Sequence, residues 1–400
     1  MKSTPEQPRV YTGPVFFSNG FRPFFFGAGL WAATAMALWV FFLATGQDVP
    51  SHFSAIDWHL HEFVFGYSTG VIAGFLLAAV PNWTGRAPIA GWPVAALATL
   101  WFAGRIALLF SAHLPPLLAA TIDASFVAVL ALVIGREIIT AKNWRNLKVL
   151  IILALIGAAN IMFHYEALTT AGYDGYGIRA GVALIIMLIM VVGGRIIPAF
   201  THNWLAHQPN GRRPVPLNWF DKATMAVSAG ALLLWVTVPD SAAMRPMAAL
   251  SAALNFLRLS RWAGERTIKE PLLAILHIGF AFIPYGFLTI AVGNLLPGWS
   301  RASQIPHAFT AGAIGLVTLA MLTRTSLGHS GRPLAATKTV SLIYALVLLG
   351  VLTRIASEYL PDVEPLLHAA ATFWVLGFGL FTQSFLPIFF KPRLLKTPNL

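Results

Sequence analysis

Twelve apolar stretches, each near the length needed to cross a lipid bilayer, constrain this chain more than anything else in it. They run over about 24–44, 62–80, 92–111, 116–135, 147–167, 180–200, 222–238, 242–258, 271–293, 303–323, 337–355 and 364–388. A helix of about 20 apolar residues spans the hydrocarbon core, where only helices and closed barrels satisfy their own backbone. The stretches are too long and too evenly apolar for barrel strands, and they lack the alternation of period two that a barrel requires. The expectation is an all-α polytopic membrane protein, with about twelve transmembrane helices in a single bundle over residues 1–400. The pair 222–238 and 242–258 is the weakest part of that count, because both runs are short and Pro246 interrupts the second.

Composition agrees. Hydrophobic residues make up 57% of the chain and charged residues 10%, against about 25% charged in soluble domains. The net charge of +12 would suggest nucleic acid for a soluble protein. Here the basic residues fall between apolar runs, so they read as topology determinants, with a lipid bilayer and no nucleic acid as the partner. With the N-terminus inside, about 21 Lys and Arg fall on the cytoplasmic side, and about four (Arg179, Arg245, Arg301 and Arg354) fall outside. That asymmetry predicts both ends in the cytoplasm, with 1–15 as a short arm and 391–400 as a tail. The arm is polar and lacks the apolar core of a cleavable signal. With no cysteine in the chain, disulfides, thiolate zinc sites and iron–sulfur clusters are excluded, and any metal must sit on His, Met or oxygen.

This orientation gives the histidines a depth. His59 and His61, in Trp58-His-Leu-His-Glu62, open the second span from outside; His164 lies near the outer end of the fifth, and His307 opens the tenth. On the inner side, His277 sits about two turns into the ninth span and His329 lies just past the end of the tenth. An ionisable group at membrane depth needs a partner or a ligand, and neutral imidazole is a common ligand for haem iron and copper. His59 and His61 are about 200° apart on a regular helix, so they cannot share one face. Either the segment is extended and both bind one metal, or they serve two centres. A lone histidine at a helix end is ordinarily interfacial, and His52, His113, His207 and His368 are read that way.

Glu62 follows the pair, with Gly66, Gly70 and Gly74 continuing roughly along its stripe. Small residues at that spacing admit another helix or a flat macrocycle. Glu62 is a candidate to orient a ligand histidine or to carry protons to a buried centre. On the inner side Arg86, Arg195, Arg324 and Arg332 are candidates to clamp haem propionates, since guanidinium forks match carboxylates. Their ordinary role is positive-inside anchoring. Thr84-Gly-Arg86 and Ser330-Gly-Arg332 echo each other, each after a span that opens with histidine. The tryptophans near span ends, Trp39, Trp58, Trp83, Trp92 and Trp299, read mostly as an aromatic belt.

Taken together, Gly20-Phe-Arg-Pro-Phe24, Trp58-His-Leu-His-Glu62, Pro81-Asn-Trp-Thr-Gly-Arg86, Gly193-Gly-Arg-Ile-Ile-Pro-Ala-Phe-Thr201, Leu276-His277, Ala311-Gly-Ala-Ile-Gly315 and Thr323-Arg-Thr-Ser-Leu-Gly-His-Ser-Gly-Arg-Pro333 resemble the NnrS family from about residue 16 to about 390. The resemblance implies a bacterial inner-membrane protein containing haem and copper and linked to nitric oxide metabolism and nitrosative stress. It makes His59, His61, His164, His277, His307 and His329 the preferred ligand set, without dividing them between haem and copper. His202 is a reserve candidate. The leading expectation is an enzyme that reduces nitric oxide to nitrous oxide, drawing on an unidentified electron donor. The rivals are a haem/copper sensor or buffer that binds nitric oxide without turnover, and a twelve-helix secondary transporter with helices broken at Pro198, Pro284 or Pro306.

Overall fold

The computed structural model describes residues 11–169, 175–293, 305–360 and 363–394. Arg301 and Trp299 lie outside the described residues. Among these, the chain forms twelve long helices and no strand. They are α1 Phe21–Thr45, α2 Ala55–Thr84, α3 Trp92–Leu109, α4 Pro116–Thr140, α5 Trp144–Thr169, α6 Tyr176–Leu205, α7 Trp219–Thr237, α8 Met244–Ser260, α9 Pro271–Val292, α10 Ala308–His329, α11 Lys338–Ala356 and α12 Val363–Phe390. Each apolar run of the sequence falls on one of them. Ten are long and apolar enough to cross a membrane; α7 and α8 fall short of that test. They are a consecutive pair, so whether or not they cross, the number of crossings stays even.

Sequence chemistry sets the helix ends. Ser54 caps α2, its hydroxyl accepting from Asp57 N, and α7 opens with a capping box in which Asn218 and Asp221 bond each other's backbone. Pro246 sits in the first turn of α8, where no intrahelical donor is lost, so it does not interrupt that helix. Pro198 and Pro284 likewise lie inside continuous helices, and Pro306 precedes α10. The weak hydropathy of α7 and α8 comes from polar groups that bond between the two helices and to α6. Asn255 Nδ2 donates to Ser228 Oγ (2.8 Å), and Arg258 donates to Asp221 (3.1 Å) and to the Met190 carbonyl.

α2 and α10 are the most enclosed helices, and both depart from α geometry just inside the same end of the bundle. α2 widens into a π-helix over Glu62–Tyr67, and α10 begins as one over Ala308–Gly315. Such segments concentrate at functional sites. The correspondence goes further. The sequence offset that carries His61 to His307 also carries Phe63 to Phe309, Gly66 to Gly312, Gly85 to Gly331 and Arg86 to Arg332. It takes the first residue of α3, Trp92, to the first residue of α11, Lys338. Gly85 and Gly331 both adopt the left-handed conformation, at φ +69° and +75°, directly after α2 and α10. The echo in the sequence is therefore a structural repeat, at least over α2–α3 and α10–α11.

The opposite, arginine-bearing end is tied by charge-to-backbone bonds. Arg22, 3% exposed at the start of α1, donates to the carbonyls of Ile388, Phe389 and Lys391 at the end of α12. It supplies donors to C-terminal carbonyls that have no helical partner.

Candidate imidazole sites at one end of the bundle

The segment around the histidine pair is helical, not extended, so their two-residue spacing sends the rings to different sides of α2. His61 points into a polar cluster with Asp123 of α4 and Asn160 and His164 of α5. His59 points into an apolar cavity shared with His307.

In the cluster, Glu62, Arg105, Asp123 and His61 are between 0 and 2% exposed, and His164 is 6% exposed. Asp123 Oδ2 lies 3.2 Å from His61 Nε2 and 3.0 Å from His164 Nε2, and it accepts from Asn160 Nδ2 at 2.7 Å. Asn160 Oδ1 is 2.9 Å from His61 Nε2. The other oxygen of Asp123 pairs with Arg105, whose second arm reaches Glu62 Oε2 at 2.6 Å. Trp31 Nε1 donates to the same Glu62 oxygen at 2.7 Å, while Glu62 Oε1 faces His61 Nδ1 at 3.3 Å. One nitrogen from each histidine and one Asp123 oxygen fall within 4.8 Å of one another.

The glycine stripe is explained here. A Cβ on Gly66 would meet the Arg105 guanidinium and the Glu62 carboxylate, one on Gly70 would meet the Trp101 indole, and one on Gly74 would meet Phe25. The space belongs to neighbouring helices. Arg105, Asp123, Asn160 and Trp31 escaped the sequence reading. The signal was present for two of them, since a lone arginine inside 92–111 and a lone aspartate inside 116–135 are each costly at membrane depth.

The cavity holds about 470 Å³, within the range of small-molecule and cofactor sites. Its wall is mainly apolar and aromatic, with Trp39, Phe63, Tyr67 and Trp374 beside the two histidines and Arg354. Trp39 stacks on His59 at 4.5 Å between centroids. His59 Nδ1 is buried and has no hydrogen-bond partner among the described residues. His307 Nδ1 is 2.7 Å from Glu358 Oε1, and Arg354 is 3.6 Å from that oxygen. An unpartnered buried imidazole nitrogen, an orienting carboxylate on a second imidazole, an aromatic wall and a cation suit a flat macrocycle with acidic substituents. The residues present therefore fit haem. His368, read as interfacial, also lines this cavity, and Trp58, read as belt, is fully buried against Trp31 and Phe42.

The remaining candidates lie at the other end of the helices. His277 Nε2 is 2.8 Å from Thr201 Oγ1, and a Cβ on Gly264 would come within 2.6 Å of its Nδ1. His329 is half-buried, its ring 5.8 Å from that of Phe21, and His202 is exposed. Arg86 pairs with Glu137, Arg324 lies over the Phe200 ring at 4.2 Å, and Arg195 and Arg332 are half-buried. Arg86 and Arg324 follow His59 and His307 by most of a helix length, about 25–40 Å at 1.5 Å per residue.

An all-helical bundle with helices long and apolar enough to span, and with imidazoles held at one end beside a cavity and a buried carboxylate pair, defines a polytopic membrane protein with intramembrane imidazole sites. The family model described as NnrS protein matches residues 15–393, and the chain belongs to that family, which is linked to nitric oxide metabolism. No curated protein matches the chain.

Proposed function

We propose that this is a haem- and copper-containing oxidoreductase of the bacterial inner membrane that reduces nitric oxide to nitrous oxide. The observation that carries the reading is the apolar cavity in which His59, with a free buried nitrogen, shares a wall with His307. Haem iron, when bound, supplies a site for a diatomic ligand and one-electron chemistry. His59 and His307 are the residues that would hold it. Glu358 accepts from His307 Nδ1 and leaves Nε2 to ligate. Trp39 fixes the plane of the His59 ring. Arg354, counted from the sequence as a topology residue, takes the role of partner to an acidic substituent, because it is the arginine at this cavity. Nitric oxide is small and lipid-soluble, and a mainly apolar wall suits it.

Two roles were open for Glu62, and its bonds favour the orienting one. Trp31 and Arg105 both donate to one of its oxygens while the other faces His61 Nδ1, so the group acts as an acceptor. The net reaction takes two nitric oxide molecules, two protons and two electrons to one nitrous oxide and one water, with the electrons coming from a reduced donor in the membrane.

The test is the full chain purified in detergent, with an absorption spectrum, haem assay and nitric oxide consumption under a chemical reductant. A Soret band lost in His59→Ala, together with nitrous oxide formation by the wild type, is expected. A colourless wild-type protein sinks the haem reading. A stable nitrosyl adduct with no nitrous oxide removes turnover and leaves binding.

A further inference from the structure

The polar cluster on the other side of α2 has more carboxylates than guanidinium groups. Glu62 and Asp123 contribute two carboxylates and Arg105 one guanidinium, all within 2% of complete burial. In an apolar bundle the remaining negative charge is balanced either by a protonated His61, whose two nitrogens both face acceptor oxygens, or by a bound cation in its place. The groups facing the gap are donors of the type that hold transition metals: His61 Nε2 and His164 Nε2 lie 3.2 and 3.0 Å from Asp123 Oδ2, and one nitrogen of each histidine and one Asp123 oxygen are mutually within 4.8 Å. Two imidazoles and a carboxylate are borderline nitrogen and oxygen ligands that suit a divalent first-row ion.

The surrounding bonds are those that prepare such a site. Glu62 Oε1 stands 3.3 Å from His61 Nδ1, where it can hold the tautomer whose Nε2 lone pair faces the gap. Arg105 occupies Asp123 Oδ1, so Oδ2, which also accepts from Asn160 Nδ2, is the oxygen that faces both imidazoles. Asn160 Oδ1, 2.9 Å from His61 Nε2, is a neighbouring fourth oxygen. Because the helix turns His59 away from this group, the site needs nothing from the cavity.

We infer that His61, Asp123 and His164 form a metal-ion centre separate from the cavity, with Asp123 as its carboxylate ligand and Glu62 and Arg105 as positioning residues. This deepens the proposed function by giving the non-haem metal, copper, a definite place and ligand set.

The test uses full-length protein in detergent, loaded with copper(II) and desalted, with copper and haem measured separately per chain. One copper per chain is expected in the wild type. His164→Ala and Asp123→Asn should lose at least nine-tenths of it while keeping haem. His59→Ala should lose haem and keep copper, so failure of the haem reading and failure of this inference give different patterns. X-ray absorption at the copper edge of the wild type covers the case in which the cluster variants do not fold, with two imidazoles and oxygen expected. Wild-type protein that takes up no copper, variants that retain it in full, or a first shell containing a thioether would each overturn the assignment.

Discussion

At the scale of single residues, Arg105 settles most of the polar cluster, since it bridges Glu62 on α2 and Asp123 on α4. Replacing it with methionine keeps the volume and leaves two buried carboxylates without their shared cation. Breaking a buried pair in this way costs about 3–5 kcal/mol, so Arg105→Met should melt at a markedly lower temperature in detergent. An unchanged melting curve would mean that the charges are compensated elsewhere. No partner for this arginine is legible from the sequence, because the partners sit on other helices, 43 and 18 residues away. What it did carry was the cost of a charge within an apolar run, and that principle applies to Arg105 and Asp123 as well as to the histidines. Residue type alone pointed to the imidazoles. It could not say that His59 and His61 would look into different compartments, because that depends on the local helix geometry.

At the scale of elements, the twelve helices were legible because hydrocarbon sets one length for all of them. The π-helical segments were not, since hydropathy is the same whether a backbone bond reaches four residues or five. The left-handed glycines after α2 and α10 give the repeat a measurable asymmetry. Gly85 has nothing within 4 Å of an added Cβ, so Gly85→Ala should cost only the conformational term, about 1–2 kcal/mol. At Gly331 the added Cβ would also strike the Leu394 carbonyl. Gly331→Ala should therefore lower the unfolding temperature more than Gly85→Ala, in the same detergent and assay. Equal shifts would show that the tail contact at Leu394 contributes nothing. α7 and α8 were the least legible pair, because Ser228, Ser251, Asn255 and Arg258 lower their hydropathy while being buried against their neighbours.

At the scale of the whole molecule, the basic-residue count predicts that the loop between α7 and α8 reaches the outer face. The chain has no cysteine, which makes that directly measurable. Asp240→Cys, at an exposed position in that loop, should react with a membrane-impermeant maleimide added to intact spheroplasts. Labelling only after permeabilisation would leave α7 and α8 as a hairpin dipping from the inside, with ten crossings in place of twelve. The repeat has its own meaning at this scale: the same helical platform presents His61 to a carboxylate and His307 to a cavity, each with an arginine on the helix that follows.

The opposed rings of His59 and His61 have a further consequence. Only two peptide units of one rigid helix connect them. A change of charge beside one ring acts on the other across a helix diameter, about 10–12 Å, through a low-dielectric interior that screens poorly. The two compartments are therefore electrically coupled. With the haem and copper proposed above in place, filling or reducing one site would reset the affinity and potential of the other, and no part of the backbone would have to move for that to happen.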